Sequence, residues 1–131
     1  MKVLIVGSNG FLGSHVKSIL NNEYDYEVLQ ITGKEQIDVT KYDDLDKYLS
    51  KSRPDVVINC AAFVGGISYG YKYPARMLYE NSMMAINLYK ASQKNKIGLA
   101  TAVRKVSSPR RLVDLFPIII LSTTRIDATT I

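Results

Sequence analysis

Tryptophan is absent, and the chain has a single cysteine, Cys60, and a single histidine, His15. One cysteine allows no internal disulfide and fits a reducing compartment. Nothing resembles a set of spaced Cys and His ligands, so we expect no metal site. No apolar run approaches the roughly 20 residues a membrane-spanning helix requires. The opening "MKVLIV" turns glycine-rich after one short apolar run. It lacks the longer apolar segment and small-residue cleavage site of a secretory signal, so the expected location is cytoplasmic. Acidic residues are missing between Asn81 and Val113, where Lys90, Lys94, Lys96, Arg104, Lys105, Arg110 and Arg111 fall. That stretch carries much of the formal charge of +5 and reads either as a solvated face or as attraction for a phosphorylated partner. No aromatic strand of the RNA-binding type accompanies it, so nucleic acid is not the expected partner. There is no internal repeat or low-complexity tract.

What remains is enough for one folded core. The chain has 131 residues, too few for two full domains, and its 47% apolar content argues against disorder. Lys2 to Val6 is a continuous apolar run, as in a strand covered on both faces of a parallel sheet. Phe11, Leu12, Val16, Ile19 and Leu20 follow at helical spacing, and "NNEYD" ends that helix. "YEVLQIT" reads as a second strand and "QIDV", Gln36 to Val39, as a short third. Thr40 is a fair cap for a helix carrying Tyr42, Leu45, Tyr48 and Leu49 on one side, and Arg53-Pro54 stops it. "DVVINCAA" is a further strand. Pro74 opens a longer helix whose stripe is Met77, Asn81, Met84, Ala85, Leu88, Ala91 and Ser92. This strand–helix alternation implies a parallel sheet. After Gly98 the pattern weakens; a small helix at Ala100 to Val106 and a strand at Ile118 to Leu121 are the candidates.

The chemistry-bearing stretch is "VLIVGSNGFLGSH", in which Gly7, Gly10 and Gly13 fit G-x-x-G-x-x-G between a strand and a helix. This is a variant of the dinucleotide fingerprint. The first glycine allows the tight turn, the second leaves room for a pyrophosphate, and the third lets the helix lie close to the sheet. Amides at the helix start, around Phe11 and Leu12, then point toward the phosphates, and Ser8 and Asn9 can add hydrogen bonds. The end of the second strand holds no acid for a ribose 2′-hydroxyl. Lys34 there suits the extra phosphate of NADP, with Thr32 and Ser8 as donors, or else is an ordinary surface lysine. Asp38 and Val39 fall where an adenine edge is contacted; Asp38 equally suits a cap.

Together with "INCAAFVGGISYGYKYPARMLYENSMMAINLYKAS", the glycine turn resembles the extended short-chain dehydrogenase/reductase (NAD-dependent epimerase/dehydratase) family, and within it the GDP-L-fucose synthase branch. The resemblance runs from Met1 to about Gly98. It is sharpest at Ala61-Ala62-Phe63-Val64-Gly65-Gly66-Ile67, at Tyr73-Pro74-Ala75, and at Asn81 to Met84 with Asn87. It implies a partial Rossmann-like parallel sheet with flanking helices over residues 1–98, truncated before the substrate domain, followed by a divergent tail over 99–131. It also implies an NADP-dependent epimerase-reductase of a GDP-4-keto-6-deoxy sugar, commonly a homodimer. Ala61 and Ala62 would line the cofactor at the end of the fourth strand. Val64, Gly65 and Gly66 would form the loop beside nicotinamide and substrate, and Asn81 would help organise the site.

The resemblance fails at the proton-transfer groups. The family uses a serine after the fifth strand and a Tyr-x-x-x-Lys pair, but none of the nine tyrosines has lysine four positions later. Ser107 and Ser122 compete for the serine role. We therefore expect an incomplete and inactive fragment, arising from truncation, an altered frame or a remnant. The other readings are a different NAD(P)-dependent sugar-nucleotide epimerase or dehydratase, and a non-catalytic nucleotide-binding or interaction remnant.

Overall fold

The computed structural model describes residues 1–101 of the chain. Four parallel strands, β1 (Lys2–Val6), β2 (Glu27–Ile31), β3 (Val56–Asn59) and β4 (Gly98–Thr101), form one sheet in the order β2-β1-β3-β4. The helices are α1 (Phe11–Glu23), α2 (Tyr42–Ser52), α3 (Ile67–Lys72) and α4 (Pro74–Lys94). This is the Rossmann-like parallel arrangement that the alternation of strands and helices implied.

β1 lies inside the sheet, which explains its unbroken apolar run: Val3, Leu4, Ile5 and Val6 are all buried. Its register pairs Leu4 with Leu29 and Val57, and Val6 with Ile31 and Asn59. One hydrophobic cluster dominates. Leu4, Val6, Val57 and Leu99 of the sheet meet Leu45 and Leu49 of α2 and Met84, Leu88 and Ala91 of α4. Burying a leucine such as Leu88 contributes about 1.5–3 kcal/mol. Helix α1 packs against β1 and β2. It buries only Gly13, and the predicted stripe residues Phe11, Leu12 and Ile19 are exposed.

The helix ends follow local chemistry. Arg53 adopts a left-handed conformation (φ 45°), donates its N–H to the Leu49 carbonyl at 2.9 Å and is followed by Pro54, so α2 stops where expected. Pro74 is the first residue of α4. Its last turn is tied to α2 through Lys94 Nζ to Asp46 Oδ2 at 2.6 Å and Asn95 Nδ2 to Asp46 Oδ1 at 2.9 Å.

Several expectations need correction or placement. Gln36–Val39 is not a strand. The Gln36 side chain accepts from the Thr32 N–H (3.0 Å) and donates to the Gln30 carbonyl (3.0 Å), bending the segment into a turn at the end of β2. Thr40 is not the cap of α2; Lys41 holds that position, and the Thr40 hydroxyl donates instead to Asp38 Oδ1 at 2.6 Å. Ala100 is in β4, not a helix, because Ile58 offers a strand partner beside it. The strand straddles the boundary drawn after Gly98. α3 was not anticipated. Residues 102–106 of the expected small helix, the strand candidate at 118–121, and both Ser107 and Ser122 lie outside the described residues.

Candidate functional site

The strands point their carboxyl ends toward one rim, where the turn after β1 meets the loops after β2 and β3. Gly7 has φ +78°, a region that side chains rarely occupy, and a Cβ there would lie 2.8 Å from the backbone N and Cα of Ala61. The turn after β1 is thus pressed directly against the loop after β3. A Cβ on Gly13 would strike the Gly7 carbonyl oxygen and approach its carbonyl carbon to 2.8 Å, so only glycine lets α1 begin this close to the turn. Gly10 is looser, with a virtual Cβ 3.3 Å from the Gly7 oxygen. The N–H groups of Gly7 and Ser8 both donate to the Ile31 carbonyl (2.8 and 3.4 Å), which fastens the end of β2 beneath the same turn.

These contacts leave a helix start without a side-chain cap. Gly10 is the N-cap residue, no side chain bonds back to it, and the first bond onto its carbonyl comes from Ser14 N–H at 2.9 Å. The amides of Phe11, Leu12 and Gly13 precede that bond and have no intrahelical acceptor. With the partial positive charge of the helix end, they suit an anion lying over the turn. Asn9 and Phe11 are exposed on the outer side of the turn, the Phe11 ring resting 4.7 Å from His15. Ser8 is fully buried, its hydroxyl lacking a hydrogen-bond partner among the described residues. A glycine cradle with no room for a Cβ at Gly7 or Gly13 and an uncapped amide end fits a pyrophosphate.

The loop after β3 is held by two asparagines. Asn59 Oδ1 accepts the Ala61 N–H at 3.0 Å. Asn81 Oδ1 accepts the Phe63 N–H at 2.8 Å, while its Nδ2 donates to the carbonyls of Phe63 (2.9 Å) and Met77 (2.8 Å). One side chain thereby satisfies both backbone groups of Phe63 and anchors the loop to α4. Val64, Gly65 and Gly66 extend outward from this anchor and are exposed, with Gly66 capping α3. The Gly65 position is packed by the Tyr69 ring, 2.6 Å from a virtual Cβ.

On the β2 side, Lys34 Nζ is paired with Glu80 Oε2 of α4 at 3.1 Å. Asp38 accepts both the Thr40 hydroxyl and the Thr40 N–H (3.0 Å). The Thr40 hydroxyl, with help from Lys34 and Lys41, holds this carboxyl below the ordinary carboxylate value despite some desolvation. Val39 is buried, and its carbonyl takes a 3.2 Å bond from Asn87 Nδ2, which also reaches the Thr40 carbonyl at 2.7 Å. Burial raises the pKa of the Cys60 thiol, so it is a poor nucleophile. Among the described residues no group of three or more His, Cys, Asp or Glu side chains could hold a metal ion, and no helix is long and apolar enough to cross a membrane.

The model of the NAD dependent epimerase/dehydratase family matches residues 3–108. The chain belongs to that family. It is 33% identical over 97 residues to the GDP-L-colitose synthase of Yersinia pseudotuberculosis, covering 74% of this chain and 31% of that protein. It is 31% identical over 96 residues to the GDP-L-fucose synthase of Sinorhizobium fredii, covering 73% and 30%. Among solved structures, the dTDP-4-dehydrorhamnose reductase of Bacillus anthracis in complex with NADP matches with a TM-score of 0.66 at 28% identity, over 75% of this chain and 34% of that one. The chain therefore spans about a third of the length of the relatives it matches. Sugar-nucleotide epimerases and reductases are the common theme of these family members.

Seen as a member of the NAD-dependent epimerase/dehydratase family, the chain carries the expected site residues that are described in three groups, with Val39 buried in the core. Gly7 to Gly13 form the turn, Ala61 to Gly66 with Asn81 form the opposing loop, and Lys34 with Asp38 and Val39 form the flank. Sequence reasoning missed Asn59 and Glu80 and gave Asn87 no role. Asn59 carried a usable signal: a polar residue ending an apolar strand must find a partner at the strand's end. Asn87 was noted within the resemblance without a role. Glu80 had no signal, since an ion pair between Lys34 and Glu80 spans 46 positions.

Proposed function

We propose that the chain is the dinucleotide-binding part of an NADP-dependent epimerase-reductase acting on a GDP-4-keto-6-deoxy sugar. The observation that carries the reading is the pairing of the glycine cradle with the Asn81-held loop, which presses Gly7 against Ala61. The amides of Phe11, Leu12 and Gly13 would hold the pyrophosphate, and Lys34 the 2′-phosphate. Asp38 and Val39 would flank the adenine. Ala61 and Ala62 carry small side chains that allow a nicotinamide ring close to the backbone, and Val64 to Gly66 would border the sugar. Bound NADPH would supply the hydride. A sugar nucleotide as substrate and a homodimer as the assembly belong to the same proposal.

The proton-transfer step needs a tyrosine whose pKa is lowered by a nearby lysine. No Tyr-x-x-x-Lys occurs in these 131 residues, so this chain alone is expected to bind cofactor without turning over substrate. A non-catalytic nucleotide-binding chain is the second reading. Titration of the 131-residue protein with NADPH and NADH, followed by fluorescence, tests the first reading. NADPH is expected to bind more tightly, and Gly13→Ala to abolish binding. Amide shifts that bypass Ser8 to Leu12 on NADPH addition would overturn the cradle, and reduction of a keto sugar nucleotide by this chain would overturn the expectation of inactivity.

A further inference from the structure

Lys34 does not stand free at the rim. Its ammonium is 3.1 Å from Glu80 Oε2, and the other carboxylate oxygen of Glu80 is 4.0 Å from Arg76 Nε. Both cations sit beside one aromatic ring: Lys34 Nζ is 6.0 Å and the Arg76 guanidinium 5.6 Å from the centre of Phe63. Phe63 is the residue whose backbone Asn81 clamps, so the ring position is set by the site itself. The Glu80 side chain is only 16% exposed, against 54% for Lys34 and 63% for Arg76. The acid is the shielded partner and the two cations are open to solvent.

The placement of this cluster gives it a task. The Ile31 carbonyl at the end of β2 is held by the Gly7 and Ser8 amides, and Lys34 follows three residues later. A positive group just past the end of the second strand is where discrimination between a 2′-phosphate and a 2′-hydroxyl is made in this class of site. Glu80 competes with an incoming phosphate for the same ammonium. Arg76 keeps the carboxylate paired when Lys34 turns away, so release of Lys34 does not strand a charge.

We infer that Glu80 sets the cofactor preference of this chain, holding Lys34 in competition with the 2′-phosphate and so narrowing the advantage of NADP over NAD. The inference rests on the cofactor reading above and deepens it. Its test uses the 131-residue protein and dissociation constants for NADPH and NADH, with far-ultraviolet circular dichroism confirming the fold of each variant. Glu80→Gln keeps the shape and removes the charge. It is expected to tighten NADPH binding about two- to fivefold, the upper range of a partly exposed ion pair, while NADH affinity stays unchanged. Lys34→Gln is expected to weaken NADPH selectively, and adding Glu80→Gln to it is expected to produce no further selective change. An unchanged NADPH-to-NADH ratio in Glu80→Gln, or the same gain in the Lys34→Gln background, overturns the role of Glu80 and leaves the cofactor reading standing. Failure of the unaltered protein to bind either dinucleotide overturns both.

Discussion

Gly13 and Gly10 belong to the same short turn but tolerate a methyl group very differently. Gly13→Ala drives Cβ into backbone that cannot yield, while Gly10→Ala meets one carbonyl oxygen at 3.3 Å. We expect Gly13→Ala to destabilise the fold by about 1–3 kcal/mol and Gly10→Ala by well under half as much, read from urea unfolding midpoints. Asp38 makes a second prediction at this scale. Hydrogen bonds from Thr40 lower its pKa, so the folded state gains from the ionised carboxyl above the unfolded value of about 4 and loses that gain as pH falls through the lowered value. Asp38→Ala is expected to cost about 0.5–1.5 kcal/mol at pH 7, with a difference from the unaltered protein that shrinks as urea melts are taken from pH 5 down to pH 2.5.

At the scale of elements, the loop after β3 and helix α4 are joined by Asn81. Asn81→Ala leaves the Phe63 N–H and carbonyl without their partners, an expected loss of about 1–3 kcal/mol. Hydrogen exchange at the Phe63 amide is expected to accelerate well beyond what global destabilisation accounts for. Elements of this size show what a sequence reveals. β1, α2 and α4 were legible because their apolar periodicity runs over several residues and Arg53-Pro54 and Pro74 mark ends by local sterics. Gln36–Val39 misled because its alternation of polar and apolar residues imitates a strand, while the deciding interaction is one glutamine side chain folding back on β2. α3 is six residues long with a glycine inside, too short for periodicity to register. In the site, the glycine spacing gave the cradle, but the ties from Asn59, Asn87 and Glu80 are long-range pairings that no local pattern encodes.

At the scale of the whole molecule, one cluster between the sheet and the pair α2 and α4 gathers the buried apolar side chains among the described residues. Leu88 belongs to it, 1% exposed. Leu88→Ala is expected to cost about 2–5 kcal/mol, a large share of the roughly 5–15 kcal/mol typical of a domain. Thermal unfolding by circular dichroism is expected to shift to lower temperature and broaden. The strand order also has a kinetic consequence. β1 is made before the other three strands yet pairs in register with β2 from Glu27 and with β3 from Val56. During synthesis its apolar edge must wait for some fifty further residues before the second neighbour emerges, and parallel pairing across such spans is slow. The nascent chain thus passes through an interval in which β1 is half-partnered, when chaperone capture competes with sheet completion.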